Sequence, residues 1–112
     1  MKPVSDIRPP LSPEQMRASA QIVTGLLRGL ANEDRLLLLC QMAQGEISVG
    51  ELETRLDIRQ PTLSQQLGVL RAEGLVSTRR EGKRIFYSVA DPNVLVLLET
   101  LYRLYCRTEE SA

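Results

Sequence analysis

Residues 48–89 read SVGELETRLDIRQPTLSQQLGVLRAEGLVSTRREGKRIFYSV, and that run leaves few folds open. Two short segments with leucines at helical spacing stand on either side of a tight polar turn, and a basic, alternating stretch follows. Ser48 caps the first segment, which runs to about Leu56 and buries Val49, Leu52 and Leu56. Asp57, Ile58 and Arg59 make the turn. Gln60 and Pro61 start the second segment, proline being tolerated at a first helical position, and Gly74 stops it. Leu63, Leu67 and Leu70 point inward on that helix, so Thr62, Ser64, Gln65 and Gln66 point mostly outward. Residues 76–80 and 84–89 have strand character, and Glu81, Gly82 and Lys83 form the hairpin turn between them.

The flanks are helical. Ser12, Pro13 and Gln15 make a helix start with a capping box, and Met16, Ile22, Val23, Leu26, Leu27 and Leu30 fall near one face of the helix that follows. Asn32 caps a second helix, with Glu33 and Asp34 complementing its dipole. Its body, 36–42, is apolar nearly all round, which places it centrally, and Gly45 ends it. Asp91 and Pro92 open a last helix carrying Val94, Leu95, Leu97, Leu98, Leu101, Tyr102, Leu104 and Tyr105. One solvent-facing helix needs less apolar surface than that, and in a small chain the surplus implies a dimer interface.

At 112 residues the chain is long enough for one core and too short for two. Aromatic residues make up only 4%, so leucine, valine, isoleucine and alanine must fill that core, which favours packed helices over a large sheet. The expected architecture is therefore mainly α with a small β-hairpin wing, a winged helix-turn-helix that dimerises through its terminal helices. Residues 1–11 form a polar, proline-bearing arm and residues 12–108 the DNA-binding and dimerisation domain. No stretch approaches the ~18 apolar residues of a membrane span, and the N-terminus lacks the apolar core of a secretory signal. A cytoplasmic location is the default, where thiols are normally reduced and a disulfide is more often regulatory than structural.

Formal net charge is zero, so the distribution of charge carries the argument. Arg71, Arg79, Arg80, Lys83 and Arg84 cluster on the second helix of the pair and its hairpin. Gln60, Thr62, Ser64, Gln65 and Gln66 are short polar groups suited to base edges and phosphates in a major groove, and the hairpin cations suit phosphates or an adjacent minor groove. Together they imply double-stranded operator DNA as the partner and a symmetric homodimer on a palindromic site. An enzyme is poorly supported: with no histidine there is no Ser-His or Cys-His arrangement, and neither GxGxxG nor GxxxxGK followed by Ser or Thr occurs. A winged helix that binds only protein is the rival class.

In GEISVGEL at 45–52, QPTLSQQLGVLRAEGLV at 60–76 and RREGKRIFY at 79–87, the chain closely resembles the ArsR/SmtB family of bacterial dimeric winged-helix repressors, over about residues 12–108. The resemblance implies operator binding in the basal state and release on binding an inducer, often a metal ion. Metal sensors of the family place Cys-Val-Cys in the third helix, where this chain has Ser48, Val49 and Gly50, or use histidines, which it lacks. No metal site and no cofactor are implied, since two thiols are a poor set for zinc's four N or S ligands. Gln66 stands where many relatives have His, which bears on the operator sequence.

Two cysteines remain, Cys40 near the end of the second helix and Cys106 near the end of the last. Read alone, each is a small core residue. As a pair they resemble the redox branch of the family, the biofilm-growth-associated and sulfide-responsive repressors, in which such thiols respond to reactive sulfur species or oxidants. Arg103 and Arg107 are placed to favour a thiolate at Cys106. The alternatives are a family member sensing a metal or other ligand, and a protein-binding winged helix with structural cysteines.

Overall fold

The computed structural model describes residues 12–106; the expected arm and the last two residues of the expected domain, Arg107 among them, lie outside. Five helices and three strands follow in the order α1 (Pro13–Leu30), α2 (Glu33–Met42), β1 (Ile47–Ser48), α3 (Val49–Leu56), α4 (Thr62–Ala72), β2 (Val76–Glu81), β3 (Arg84–Val89) and α5 (Pro92–Tyr105). The chain folds as a mainly α winged helix-turn-helix.

Local chemistry sets the boundaries. Ser12 and Gln15 close the capping box of α1: Gln15 N–H donates to Ser12 Oγ at 3.1 Å and Ser12 N–H to Gln15 Oε1 at 2.9 Å. Asn32 Oδ1 caps α2 by accepting from Arg35 N–H at 3.0 Å. Ser48 and Glu51 repeat the capping box on α3, which ends at Asp57 in the left-handed region, φ 55°. Short polar Asp tolerates that conformation better than a bulky residue. After α4, Gly74 at φ +75° donates to Arg71 C=O and Leu75 N–H donates to Leu70 C=O. That is the Schellman pattern, and it aims the chain into the hairpin.

The sheet contains one strand the sequence did not announce. β1 pairs antiparallel with β3, Ile47 opposite Tyr87, giving the order β1-β3-β2. In the hairpin Glu81 pairs with Arg84, so β2 runs one residue beyond expectation and the turn is the two-residue Gly82-Lys83. Gly82 takes φ +63°, which suits the first central position of a II′ turn.

One core joins these elements. Leu38, Leu39, Leu52, Leu63, Leu70 and Val94 are its fully buried members, with Ile47, Ile58, Leu67, Tyr87 and Leu98 around them. The second helix is less enclosed than its composition implied: Leu38, Leu39 and Met42 are buried, but Leu37 and Cys40 are exposed, because only one side of α2 meets α3, α4 and the sheet. The terminal helices are barer still. On α1 only Gly29 and Leu30 are buried, and on α5 only Val94 and Leu98.

Candidate nucleic-acid interface and thiol pair

The helix pair works as a rigid presenter. Leu52 anchors α3, and Leu63, Leu67 and Leu70 anchor α4 in the shared core, with Ile58 of the turn buried between them. Pro61 has no side-chain oxygen to cap α4, and Gln60 does so from one residue earlier. Its Oε1 accepts from Ser64 N–H at 3.1 Å and from Ser64 Oγ–H at 2.6 Å. Gln60, Ser64 and Gln65 are exposed and Thr62 is half-buried. Gln66 departs from the expected outward orientation. It is half-buried, and its Oε1 accepts from Arg35 Nη1 at 2.8 Å.

The wing divides its cations between two duties. Arg79 makes a bidentate pair with Glu46, Nε at 2.9 Å and Nη2 at 2.8 Å, and its guanidinium carbon lies 4.6 Å from the centre of the Phe86 ring. The hydrogen bonds to Arg79 lower the Glu46 pKa and those to Glu46 raise that of Arg79, so each holds the other charged. Arg84 lies against the same ring at 5.1 Å. Arg71, Arg80, Lys83 and Arg84 are exposed and have no ion pair among the described residues. Lys83 and Arg84 line one wall of a cleft of about 570 Å³, with Arg55 and the first turn of α3 opposite. The surface offered by α4 and the wing is therefore polar and cationic, with Glu51 across the cleft near enough to feel the charge of Arg84.

Both cysteines are free thiols and both are exposed, so neither is a core residue. Cys40 lies on the open side of α2, and Cys106 forms the C-cap of α5, its N–H donating to Tyr102 C=O at 2.8 Å. Cys40 lines a cleft of about 470 Å³ whose other wall is α5, with Leu95, Val96, Leu98 and Tyr102. Partial shelter in that cleft pushes the Cys40 pKa up, and the nearby negative charge of a Cys106 thiolate pushes it the same way. Cys40 thus feels a charge on a residue 66 positions away in sequence. Arg103 sits exposed in the last turn of α5. Among the described residues no three His, Cys, Asp or Glu side chains gather as a metal cluster, and no helix is long and apolar enough to cross a membrane.

The model of the bacterial regulatory protein arsR family matches residues 32–78, the span from the α2 cap to the start of the wing. The biofilm growth-associated repressor of Agrobacterium fabrum is 53% identical over 110 residues, 98% of this chain and 92% of that protein. The chain belongs to the ArsR family. The crystal structure of the transcriptional repressor BigR from Xylella fastidiosa has a TM-score of 0.79 to it at 47% identity, covering 86% of this chain and 98% of that one. Reduced HlyU from Vibrio cholerae has a TM-score of 0.80 at 43% identity, covering 83% and 98%. These likenesses span the helix pair, the wing and the terminal helices together, so the relatives share the whole architecture and not only the DNA-reading motif.

Proposed function

We propose that this ArsR-family member is a homodimeric repressor whose hold on operator DNA is switched by the Cys40/Cys106 dithiol in response to reactive sulfur species or oxidants. The observation that carries the reading is the pair of exposed thiols, one on α2 beside the cleft that α5 walls and one at the end of α5. The names of the relatives support the two halves of it. One is a biofilm growth-associated repressor, and one solved structure is of a form described as reduced.

The DNA contacts in this reading come from Gln60, Thr62, Ser64 and Gln65 at the start of α4 and from Arg71, Arg80, Lys83 and Arg84 beside it. Arg79 and Gln66, both held by neighbours in the free protein, stand at the margin of that set. Dimerisation follows from the faces left bare on α1 and α5, where Ile22, Val96, Leu104 and Tyr105 are each more than 60% exposed. Operator binding by two wings at once needs one fixed spacing between the two α4 helices.

The switch is a two-electron oxidation of two thiols. A thiolate attacks the sulfane sulfur of a persulfide R–S–SH, the S–S bond breaks, R–SH leaves and a cysteine persulfide forms. The second thiolate attacks the cysteine-bound sulfur, HS⁻ leaves, and the two cysteines are joined. The sulfane sulfur is reduced to sulfide and the pair of thiols is oxidised. With a peroxide the first product is a sulfenic acid, and water leaves in the second step. The raised pKa of Cys40 lowers its thiolate fraction below that of an ordinary thiol. The link ties α5 to α2, and the spacing of the two α4 helices changes with it.

Treating the reduced protein with inorganic polysulfide, and separately with hydrogen peroxide, tests this. Non-reducing peptide mass spectrometry should recover a Cys40–Cys106 cross-linked peptide that reductant abolishes. DNA affinity should fall by about 5–150-fold on oxidation, and Cys40→Ser or Cys106→Ser should remove the change. Thiols that stay unmodified, or a serine variant that releases DNA as readily as the wild type, would defeat the switch. A response to chelator instead of reductant would point to a metal.

A further inference from the structure

Arg35 occupies an unusual position for an arginine in this protein. It lies in the first turn of α2, half-buried, and has no carboxylate partner among the described residues. Each of its three guanidinium nitrogens nevertheless donates a hydrogen bond. Nε donates to Gly29 C=O at 2.7 Å, Nη2 to Arg28 C=O at 3.0 Å and Nη1 to Gln66 Oε1 at 2.8 Å. The first two acceptors are last-turn carbonyls of α1, at the negative end of its dipole; that of Arg28 also accepts a long 3.4 Å bond from the N–H of Ala31, the helix cap. The third belongs to the middle of α4. One planar fork therefore joins the end of a terminal helix to the helix that presents the DNA-reading residues, and the fork is rooted five positions before Cys40.

A second contact holds the same junction from the other side. A Cβ on Gly29 would lie 2.7 Å from Leu75 Cδ1, so the end of α1 packs directly on the residue that follows the Schellman turn of α4. Gly29 supplies both the room for that approach and one of the carbonyls Arg35 holds. Gln66 completes the argument by what it cannot do while held. Reading adenine by a glutamine needs the amide oxygen as acceptor and the nitrogen as donor, both turned toward the base, and the bond from Arg35 takes one of the oxygen's two lone pairs and turns that oxygen toward α2.

We infer that Arg35 is a positioning residue for DNA binding: it fixes the angle between α1 and α4, and Gln66 is the receptor for its fork and not a reader of bases. The inference rests on the DNA-binding reading alone and is independent of the thiol switch. A rigid fork is required at this place because two carbonyls and an amide oxygen must be met at once from one root. Lysine, with a point charge on a flexible stem, cannot hold all three in fixed directions.

A double-mutant cycle on the reduced, full-length protein tests it. The probe is a DNA duplex enriched by the wild type from a random pool, and affinities are measured at one salt concentration and at a temperature where circular dichroism shows every variant folded. Arg35→Lys and Gln66→Leu should each weaken binding by about tenfold, and the double variant should be no weaker than either, because the pair acts as one unit. Gln66→Leu should enrich the same base preferences as the wild type. A role confined to stability would lower the melting temperature and leave affinity unmoved, which overturns the inference. So would losses that multiply to about a hundredfold, or a changed base preference in Gln66→Leu with Arg35→Lys binding normally. If the wild type enriches no duplex at all, the DNA-binding reading fails and this inference falls with it.

Discussion

The DNA-reading half and the terminal helices solve opposite problems with similar residues. In α3, α4 and the hairpin the large apolar side chains are buried or half-buried apart from Val69, and most other exposed positions are polar or charged. In α1 and α5 the proportion reverses, with Met16, Ile22, Val23, Leu27, Val96, Leu104 and Tyr105 all open to solvent. Both regions are rich in leucine and both have well-capped helices, so composition and capping do not separate them. What differs is whether the chain itself provides the opposite face. The reading half packs its apolar residues within one chain, while the terminal helices keep apolar faces that nothing among the described residues covers.

The comparison breaks most visibly under a charge placed on the bare faces. Ile22→Asp combined with Leu104→Asp should leave each chain folded and turn a dimer into a monomer in light scattering. Loss of the second half-site should then weaken DNA binding by about 10²–10⁴-fold, the range in which linked binding events exceed single ones. A folded monomer that binds DNA as tightly as the wild type would show that α1 and α5 serve some other partner. In the reading half, the sensitive positions are inside. Leu63→Ala removes a fully buried side chain at the root of α4 and should cost about 2–5 kcal/mol of stability, read as a lower midpoint in urea.

How much of this was legible beforehand follows the same division. Caps and stops are local, and the pairs Ser12/Gln15 and Ser48/Glu51, the inward leucines of α4 and the glycines at 74 and 82 act where the sequence puts them. Apart from the extra residue of β2, where Glu81 pairs with Arg84, the misses depend on residues far apart in the chain. β1 is two residues long and exists because Tyr87 and Phe86 lie opposite it. Gln66 turns inward because Arg35, 31 positions earlier, reaches it, and Arg79 is held by Glu46, 33 positions earlier. An apolar stripe has the same period whether a core or another chain will cover it, so the exposure of α1 could be inferred only from the fold. The cysteines fall in the same class. Free cysteine is most often buried, and only the open side of α2 and the position of Cys106 as a helix cap put both at the surface.

A smaller effect separates the wing's cations from one another. Arg71→Gln and Lys83→Gln should each reduce the slope of log affinity against log salt by about 0.9, the amount expected when one phosphate contact is lost. Arg79→Gln should leave that slope nearly unchanged, because its guanidinium already faces the Glu46 carboxylate and the Phe86 ring. If Arg79 proved to contribute a full unit, the Glu46 pair would have to open on binding, and the wing would be less rigid than the rest of the reading half.

The smallest effect concerns Cys40, where the two halves of the molecule meet across the cleft between α2 and α5. Its thiol is neutral when protonated, and shelter in the cleft together with the charge of Cys106 raises its pKa in the folded state. The folded protein therefore holds that proton more tightly than the unfolded chain does. The resulting stability is fully present below the ordinary thiol value of about 8.5 and is lost as pH rises through the higher folded value. The same shift controls reactivity, because the thiolate is the nucleophile. Alkylation of Cys40 by iodoacetamide at pH 7.5 should be slower than that of a cysteine in an unstructured peptide, and its rate should keep climbing with pH after the peptide has levelled off. Cys106→Ser removes the charge that contributes the second part of the shift, so Cys40 should then react somewhat faster at a given pH. An unchanged rate in that variant would mean that burial alone sets the Cys40 pKa and that the two thiols ignore each other until they are chemically joined.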